Sequence, residues 1–190
     1  MEKSKKDPIP TAKEVNEWWR QMPGVISEYG DVVSKLKPVL CQRPSKVVVI
    51  DGLNGVGKTN LGRYLSFVFN SSLIETDLFS TRPGFEYDYV QFKKIIEKLL
   101  TLNRHVFVEG VTVLQILGSV DVQPDYHIYW KNVHPSDSSY DRADRLGVAL
   151  RRYCRKYKPM QSADLVISAS IDRTVDISSV LFDLQNEPEA

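Results

Sequence analysis

The sequence predicts an α/β domain, a five-stranded parallel sheet between two layers of helices, with a helical arm in front of it. Three observations carry that expectation. From Lys46 onward, short β-branched or aromatic runs alternate with segments of helical apolar spacing, the pattern of strands joined by helical crossovers. The first run passes straight into a glycine-rich turn and then a helix. Before Lys46 the apolar residues keep helical spacing only.

Length and composition narrow the field. The chain has 190 residues, the size of one domain, and 42% of them are hydrophobic, enough for a sizeable core. The formal charge is +1, so no global field points to nucleic acid or a membrane surface as a partner. Cys41 and Cys154 stand far apart without metal-ligand spacing, which argues against a disulfide scaffold and a structural zinc site. A reducing, cytoplasmic compartment fits that usage. The longest apolar runs are strand-length, so neither a membrane span nor a secretion signal is expected.

Residues 1–9 are charged and read as a frayed terminus. Thr11 and Glu14 have capping-box spacing, so a helix is expected to start there, with Val15, Trp18, Trp19 and Met22 on one face. Val25, Ile26, Tyr29, Val32, Val33, Leu36, Val39 and Leu40 continue an apolar stripe. Residues 1–45 thus form the arm, which either packs on the domain or offers its tryptophans to a protein partner or a second copy of the chain. Residues 46–190 form the domain. Its expected strands are Val47–Ile50, Leu73–Thr76, His105–Val108, Tyr126–Trp130 and Asp164–Ile167. Helices are expected after the glycine-rich turn (Leu61, Leu65, Val68 and Phe69 inward), over 87–102 (Val90, Ile95, Leu99 and Leu102 inward), near 141–157 and near 174–185.

The sharpest signal is Gly52-Leu53-Asn54-Gly55-Val56-Gly57-Lys58-Thr59, a complete Gly-x-x-x-x-Gly-Lys-Ser/Thr loop between a buried strand and an amphipathic helix. Glycines let the backbone wrap until several N–H groups point inward, and the helix N-terminus adds partial positive charge, so a polyphosphate is held by fixed dipoles. Lys58 supplies a mobile cation for the β- and γ-phosphates, and the Thr59 hydroxyl suits Mg²⁺. The expected nucleotide contacts are Gly52, Asn54, Gly55, Val56, Gly57, Lys58, Thr59 and the adjoining Asn60.

The loop alone does not fix the reaction. Further residues narrow it: Glu75-Thr76-Asp77-Leu78-Phe79, Phe85-Glu86-Tyr87-Asp88-Tyr89, Val106-Phe107-Val108-Glu109-Gly110-Val111, Tyr157-Lys158-Pro159-Met160 and Ala163-Asp164-Leu165-Val166-Ile167. With the loop, this series resembles the uridine kinase-like branch of nucleoside and nucleotide kinases in the P-loop nucleoside triphosphate hydrolase superfamily. The resemblance covers roughly residues 46–168 and implies the three-layer P-loop kinase sandwich, with ATP and Mg²⁺ as cofactors. Asp77 matches the family's acid at the acceptor hydroxyl, a general base or outer-sphere magnesium ligand. Glu109 matches the acid at a strand end that faces the nucleotide's magnesium. The resemblance therefore implies Lys58, Asp77 and Glu109 as catalytic residues and Thr59, Asp77 and Glu109 around the metal.

Two departures stand out. The family's tyrosine after Phe79 is Ser80 here, and its lid arginines have no matching register. A lid is still expected near 131–158, because Arg142 to Lys158 holds seven cations and one acid, Asp144. Arg151 and Arg152 are the candidates there for phosphate contact. Phe79, Phe85, Tyr87 and Tyr89 either stack on a base or belong to the core, and Arg82 is a candidate substrate contact. His105, His127 and His134 lack ligand spacing and carry no expected metal.

The expected function is Mg-ATP-dependent transfer of a γ-phosphoryl group to a hydroxyl of a nucleoside or similar small molecule. Two alternatives belong to other classes. One is a nucleotide-binding regulatory module that works through a protein partner on the arm with little or no transfer. The other is a nucleic-acid end kinase using the Arg142–Lys158 cations on phosphates.

Overall fold

The computed structural model describes residues 28–41, 44–82, 86–131 and 145–168. In chain order its elements are α1 (Glu28–Leu40), β1 (Val47–Gly52), α2 (Lys58–Val68), β2 (Ser72–Glu75), a 3₁₀ turn (Thr76–Phe79), β3 (Ser80–Arg82), β4 (Glu86–Tyr87), α3 (Tyr89–Thr101), β5 (Val106–Gly110), α4 (Val113–Ser119), β6 (Tyr126–Trp130), α5 (Arg145–Tyr157), α6 (Pro159–Ser162) and β7 (Leu165–Ile167).

Five strands form one sheet in the order β2-β5-β1-β6-β7, and every pairing in it is parallel. The five strands expected from the sequence are these five, with Thr76, His105 and Asp164 falling just outside them. Strand β1 is buried throughout, as a β-branched run covered on both faces must be. After β5 the chain crosses from the β2 side of β1 to the β6 side, so the carboxyl end of β1 lies at a topological switch point. That is where an open α/β sheet forms a ligand crevice.

Alternation along the strands builds two cores. One face carries Val47, Val49, Val106 and Val108, which cluster with Ile74, Phe92 and Ile96 and with Val113, Ile116 and Leu117 of α4. On the other, a β-carbon added at Gly62 of α2 would meet Leu73 at 2.9 Å and Ile50 at 3.6 Å, so α2 lies close over β1 and β2. Helix α1, in the segment expected to form the arm, buries Tyr29, Val32, Leu36 and Leu40. The Tyr29 ring lies 5.2 Å from Tyr64 of α2 and 6.1 Å from Trp130 of β6. Helices on both faces of the sheet make the three-layer sandwich.

Two inward faces differ from expectation. On α3 the buried residues are Phe92 and Ile96, with Ile95 and Leu99 packed alongside, whereas Val90 and Leu102 are 66% and 59% exposed. Val90 and Phe92 stand about 200° apart on a helix, and the larger apolar surface of the ring takes the core side. Asp88 fixes that rotation by accepting the Gln91 N–H at 2.9 Å. On α2, Leu61 and Leu65 are buried but Val68 is exposed, because the helix ends there and Phe69 turns off it to stand 6.1 Å from Phe107.

Phe79 and Tyr87 belong to the core, with Tyr89 packed against it. His105 is structural: its Nδ1 accepts the Lys46 N–H at 3.0 Å. Short α4 and the β3–β4 hairpin were not expected. Thr11, Glu14, Trp18, Trp19, Phe85, His134, Arg142, Asp144 and the helix expected near 174–185 lie outside the described residues, as does the side chain of Arg82. Among the described residues no helix is long and apolar enough to cross a membrane.

Candidate functional site

The site grows from the carboxyl end of β1. Gly52, Gly55 and Gly57 take φ of +149°, +76° and +103°, conformations that L side chains rarely adopt. At Gly52 space is closed as well, since a β-carbon would sit 2.5 Å from the Trp130 carbonyl oxygen. Val56 is buried and anchors the loop, while Asn54 and Asn60 are exposed. Gly57 leads directly into α2, so the first N–H groups of an 11-residue helix face the loop.

Lys58 is only 6% exposed, and its ammonium donates to the Leu53 carbonyl across the loop at 2.8 Å. Burial lowers its pKa, while the nearby carboxylates of Glu109, Asp51 and Asp77 favour its charged form. Glu109, expected at a strand end, is 4% exposed and accepts the Thr59 hydroxyl at 3.0 Å. Burial raises the pKa of its carboxyl, with Lys58 and Thr59 pulling the other way. Asp77 sits exposed in the 3₁₀ turn after β2. Its charge reaches Lys58, Glu109 and the buried Tyr87. Tyr87 in turn shares a 3.2 Å hydrogen bond with Thr112.

The structure thus brings together the loop, Lys58, Thr59, Glu109 and Asp77 at one edge of the sheet. Arg151 is half-buried and Arg152 exposed on α5. Both precede Tyr153, whose hydroxyl reaches Asp51 at the base of the loop; a residue two positions along a helix lies about 200° round it, so Arg151 departs from the opposite side. Of the expected lid, 132–144 lie outside the described residues, and α5 is docked through Leu150 and Tyr153.

Sequence reasoning missed Asp51. It is fully buried, accepts the Gly52 N–H at 2.6 Å and accepts the Tyr153 hydroxyl. His127 Nε2 stands 3.7 Å from the same carboxylate. An acid next to a glycine-rich turn was a visible signal; its partners, far along the chain, were not.

The donor set suits a divalent cation. The carboxylates of Glu109, Asp51 and Asp77 all act on the single Lys58 ammonium, and Mg²⁺ would favour the charged form of Glu109, which burial alone disfavours. Among the described residues no group of three or more His, Cys, Asp or Glu side chains could hold a metal unaided. Magnesium in phosphate sites takes one or two protein ligands and completes its shell with phosphate oxygens and water. Thr59 and Glu109 would supply that protein share.

No protein-family model matches the sequence, and no curated protein matches it. Among solved structures, one described as a possible uridine kinase from Bacillus stearothermophilus is 18% identical with a TM-score of 0.50, covering 74% of this chain and 100% of that one. A shikimate kinase from Acinetobacter baumannii, solved with shikimate, is 13% identical with a TM-score of 0.43, over 74% of this chain and 93% of that one. A second shikimate kinase, from Bacteroides thetaiotaomicron, is 14% identical with a TM-score of 0.41, over 74% and 96% of the two chains. With its strand order and the loop after β1, the chain has the α/β fold of the P-loop kinases.

Proposed function

We propose that the protein is a Mg-ATP-dependent small-molecule kinase that moves the γ-phosphoryl group of ATP to a hydroxyl of a nucleoside or similar metabolite. The observation that carries this reading is the juxtaposition of Lys58, Thr59 and Glu109, three buried or half-buried polar groups at the adjacent ends of β1 and β5. Core positions do not need that chemistry, and a polyphosphate with its metal does.

In the reaction the bond from γ-phosphorus to the β–γ bridging oxygen breaks, and a bond from γ-phosphorus to the acceptor oxygen forms. The acceptor's proton goes to Asp77 or to water, leaving ADP and a phosphate monoester. The loop N–H groups and Lys58 hold the phosphates and stabilise the oxygens that gain charge. Asp77 orients the acceptor hydroxyl from the exposed side of the site. Bound magnesium would supply charge neutralisation at the phosphate oxygens. The remaining contribution is positioning.

The test is incubation of the full chain with Mg-ATP and a pooled panel of nucleosides, nucleotides and vitamin-like alcohols, read by mass for new phosphate esters. Lys58→Ala and Asp77→Asn are run beside it. The reading expects a product from the wild-type protein that falls at least 100-fold in both variants, on the scale of removing a charge-stabilising or general-base group. ATP binding with no phosphorylated panel member would favour the regulatory module instead.

A further inference from the structure

We infer that Asp51 and Tyr153 form a buried positioning joint that couples helix α5 to the phosphate-binding loop. Two oxygens of one carboxylate divide the work. Oδ1 accepts the N–H of Gly52, the first residue of the loop, at 2.6 Å. Oδ2 accepts the hydroxyl of Tyr153, 102 positions later, on α5. The tyrosine oxygen also receives the Leu114 N–H of α4 at 3.4 Å, so the start of the loop and two helices meet at a single side chain. His127 closes the far side, with Nε2 3.7 Å from Oδ2 and Nδ1 3.4 Å from the Ser162 hydroxyl of α6.

A stability role alone does not account for this arrangement. A buried carboxylate gives up hydration, and an apolar side chain of the same volume is often as stabilising or more so. What the carboxylate adds is direction: each of its hydrogen bonds fixes one partner relative to the other. Gly52 packs against the Trp130 backbone, where a β-carbon would stand 2.5 Å from the carbonyl oxygen, and a shift of Tyr153 is passed to the loop through Asp51. Conversely, a polyphosphate that orders the loop steadies Tyr153, and with it the basic face of α5, where Arg151, Arg152, Arg155 and Lys156 lie. The inference rests on the nucleotide-binding reading and adds to it a residue pair outside the loop motif.

The experiment is titration of the full chain with a fluorescent ADP and magnesium, for wild type, Y153F and D51N, with hydrogen exchange over residues 145–157 followed in each with and without nucleotide. Wild type should bind, and nucleotide should slow exchange in α5. Y153F should bind about tenfold more weakly, the equivalent of one hydrogen bond to a charged group, and its α5 exchange should no longer respond to nucleotide. D51N keeps the shape and one acceptor oxygen and should fall between the two; it carries the same test if Y153F does not fold. Binding and nucleotide-dependent protection of α5 that persist unchanged in both variants overturn the inference alone. No binding by the wild-type chain overturns the nucleotide reading and the joint with it.

Discussion

The Thr59 hydroxyl donates to the Glu109 carboxylate at 3.0 Å, joining the helix that follows the loop to the end of the neighbouring strand. Fifty residues separate the two in the chain. Parallel register brings them together, since Ile50 of β1 lies opposite Glu109 of β5. In the proposed function, a hydroxyl at a dipole-positive helix start and the carboxylate it donates to would face the metal of a bound nucleotide.

Replacing either member should therefore raise the magnesium requirement. In a turnover assay at fixed ATP, E109Q and T59A should each need about 10- to 100-fold more magnesium for half-maximal rate. T59S keeps the hydroxyl and should stay near wild type. A magnesium curve for E109Q that superimposes on the wild-type curve would remove Glu109 from the metal.

Gly110 is a packing device of the same edge. A β-carbon there would stand 2.0 Å from Thr76 Oγ1 and 3.1 Å from Thr76 Cβ. Thr76 is fully buried, and its hydroxyl has no hydrogen-bond partner among the described residues. G110A should cost about 1–3 kcal/mol in denaturant unfolding, the range for overpacking. The double variant G110A/T76A should recover much of that loss, because the clashing oxygen is gone, and the two effects should not add. Simple additivity would mean that the strain lies elsewhere.

Alkaline pH should destabilise the fold through its buried tyrosines. Burial raises the pKa of Tyr29, Tyr87 and Tyr153; Tyr87 is pushed up to about 12. The Asp51 charge and hydrogen bond push Tyr153 further in the same direction. Above pH 10 the unfolded chain releases these protons and the native chain keeps them, so stability present below pH 10 is lost as pH rises. Each such group contributes up to about 1.4 kcal/mol per pH unit. Burial lowers the pKa of Lys58, which acts with the opposite sign, but that effect is complete above its ordinary value of 10.5. Urea unfolding at pH 8 and at steps from 10 to 11.5 should show the decline, shallower in Y153F. A flat profile would mean that these hydroxyls ionise in the folded state.

Much of this architecture was legible in the sequence because its signals are local. The loop is contiguous, its glycines are fixed by backbone geometry, and the β-branched runs of a buried parallel sheet admit few other readings. Glu109 and Asp77 were nameable from the resemblance, though not the burial of Glu109 between Lys58 and Thr59. What escaped depends on long-range packing. Asp51 reads as one acid among 24 Asp and Glu until Tyr153 is folded onto it. On α3, spacing put Val90, Ile95, Leu99 and Leu102 inward, whereas Phe92 and Ile96 are the residues that become buried, because packing against the sheet, not spacing, sets the rotation of the helix. Helix α4, with seven residues, is too short for a periodic signal to stand out.

In the proposed function the Gly52–Thr59 loop is a magnesium nucleotide site in which Lys58 carries the mobile charge. Calorimetric titration of the full chain with ATP, with and without magnesium, beside Lys58→Ala, tests it most directly. Wild-type protein should bind ATP, more tightly with magnesium, and affinity should fall at least about 100-fold in the variant, the scale of removing a buried ammonium that donates to a phosphate. Equal affinity in wild type and Lys58→Ala, or no binding by either, would contradict it.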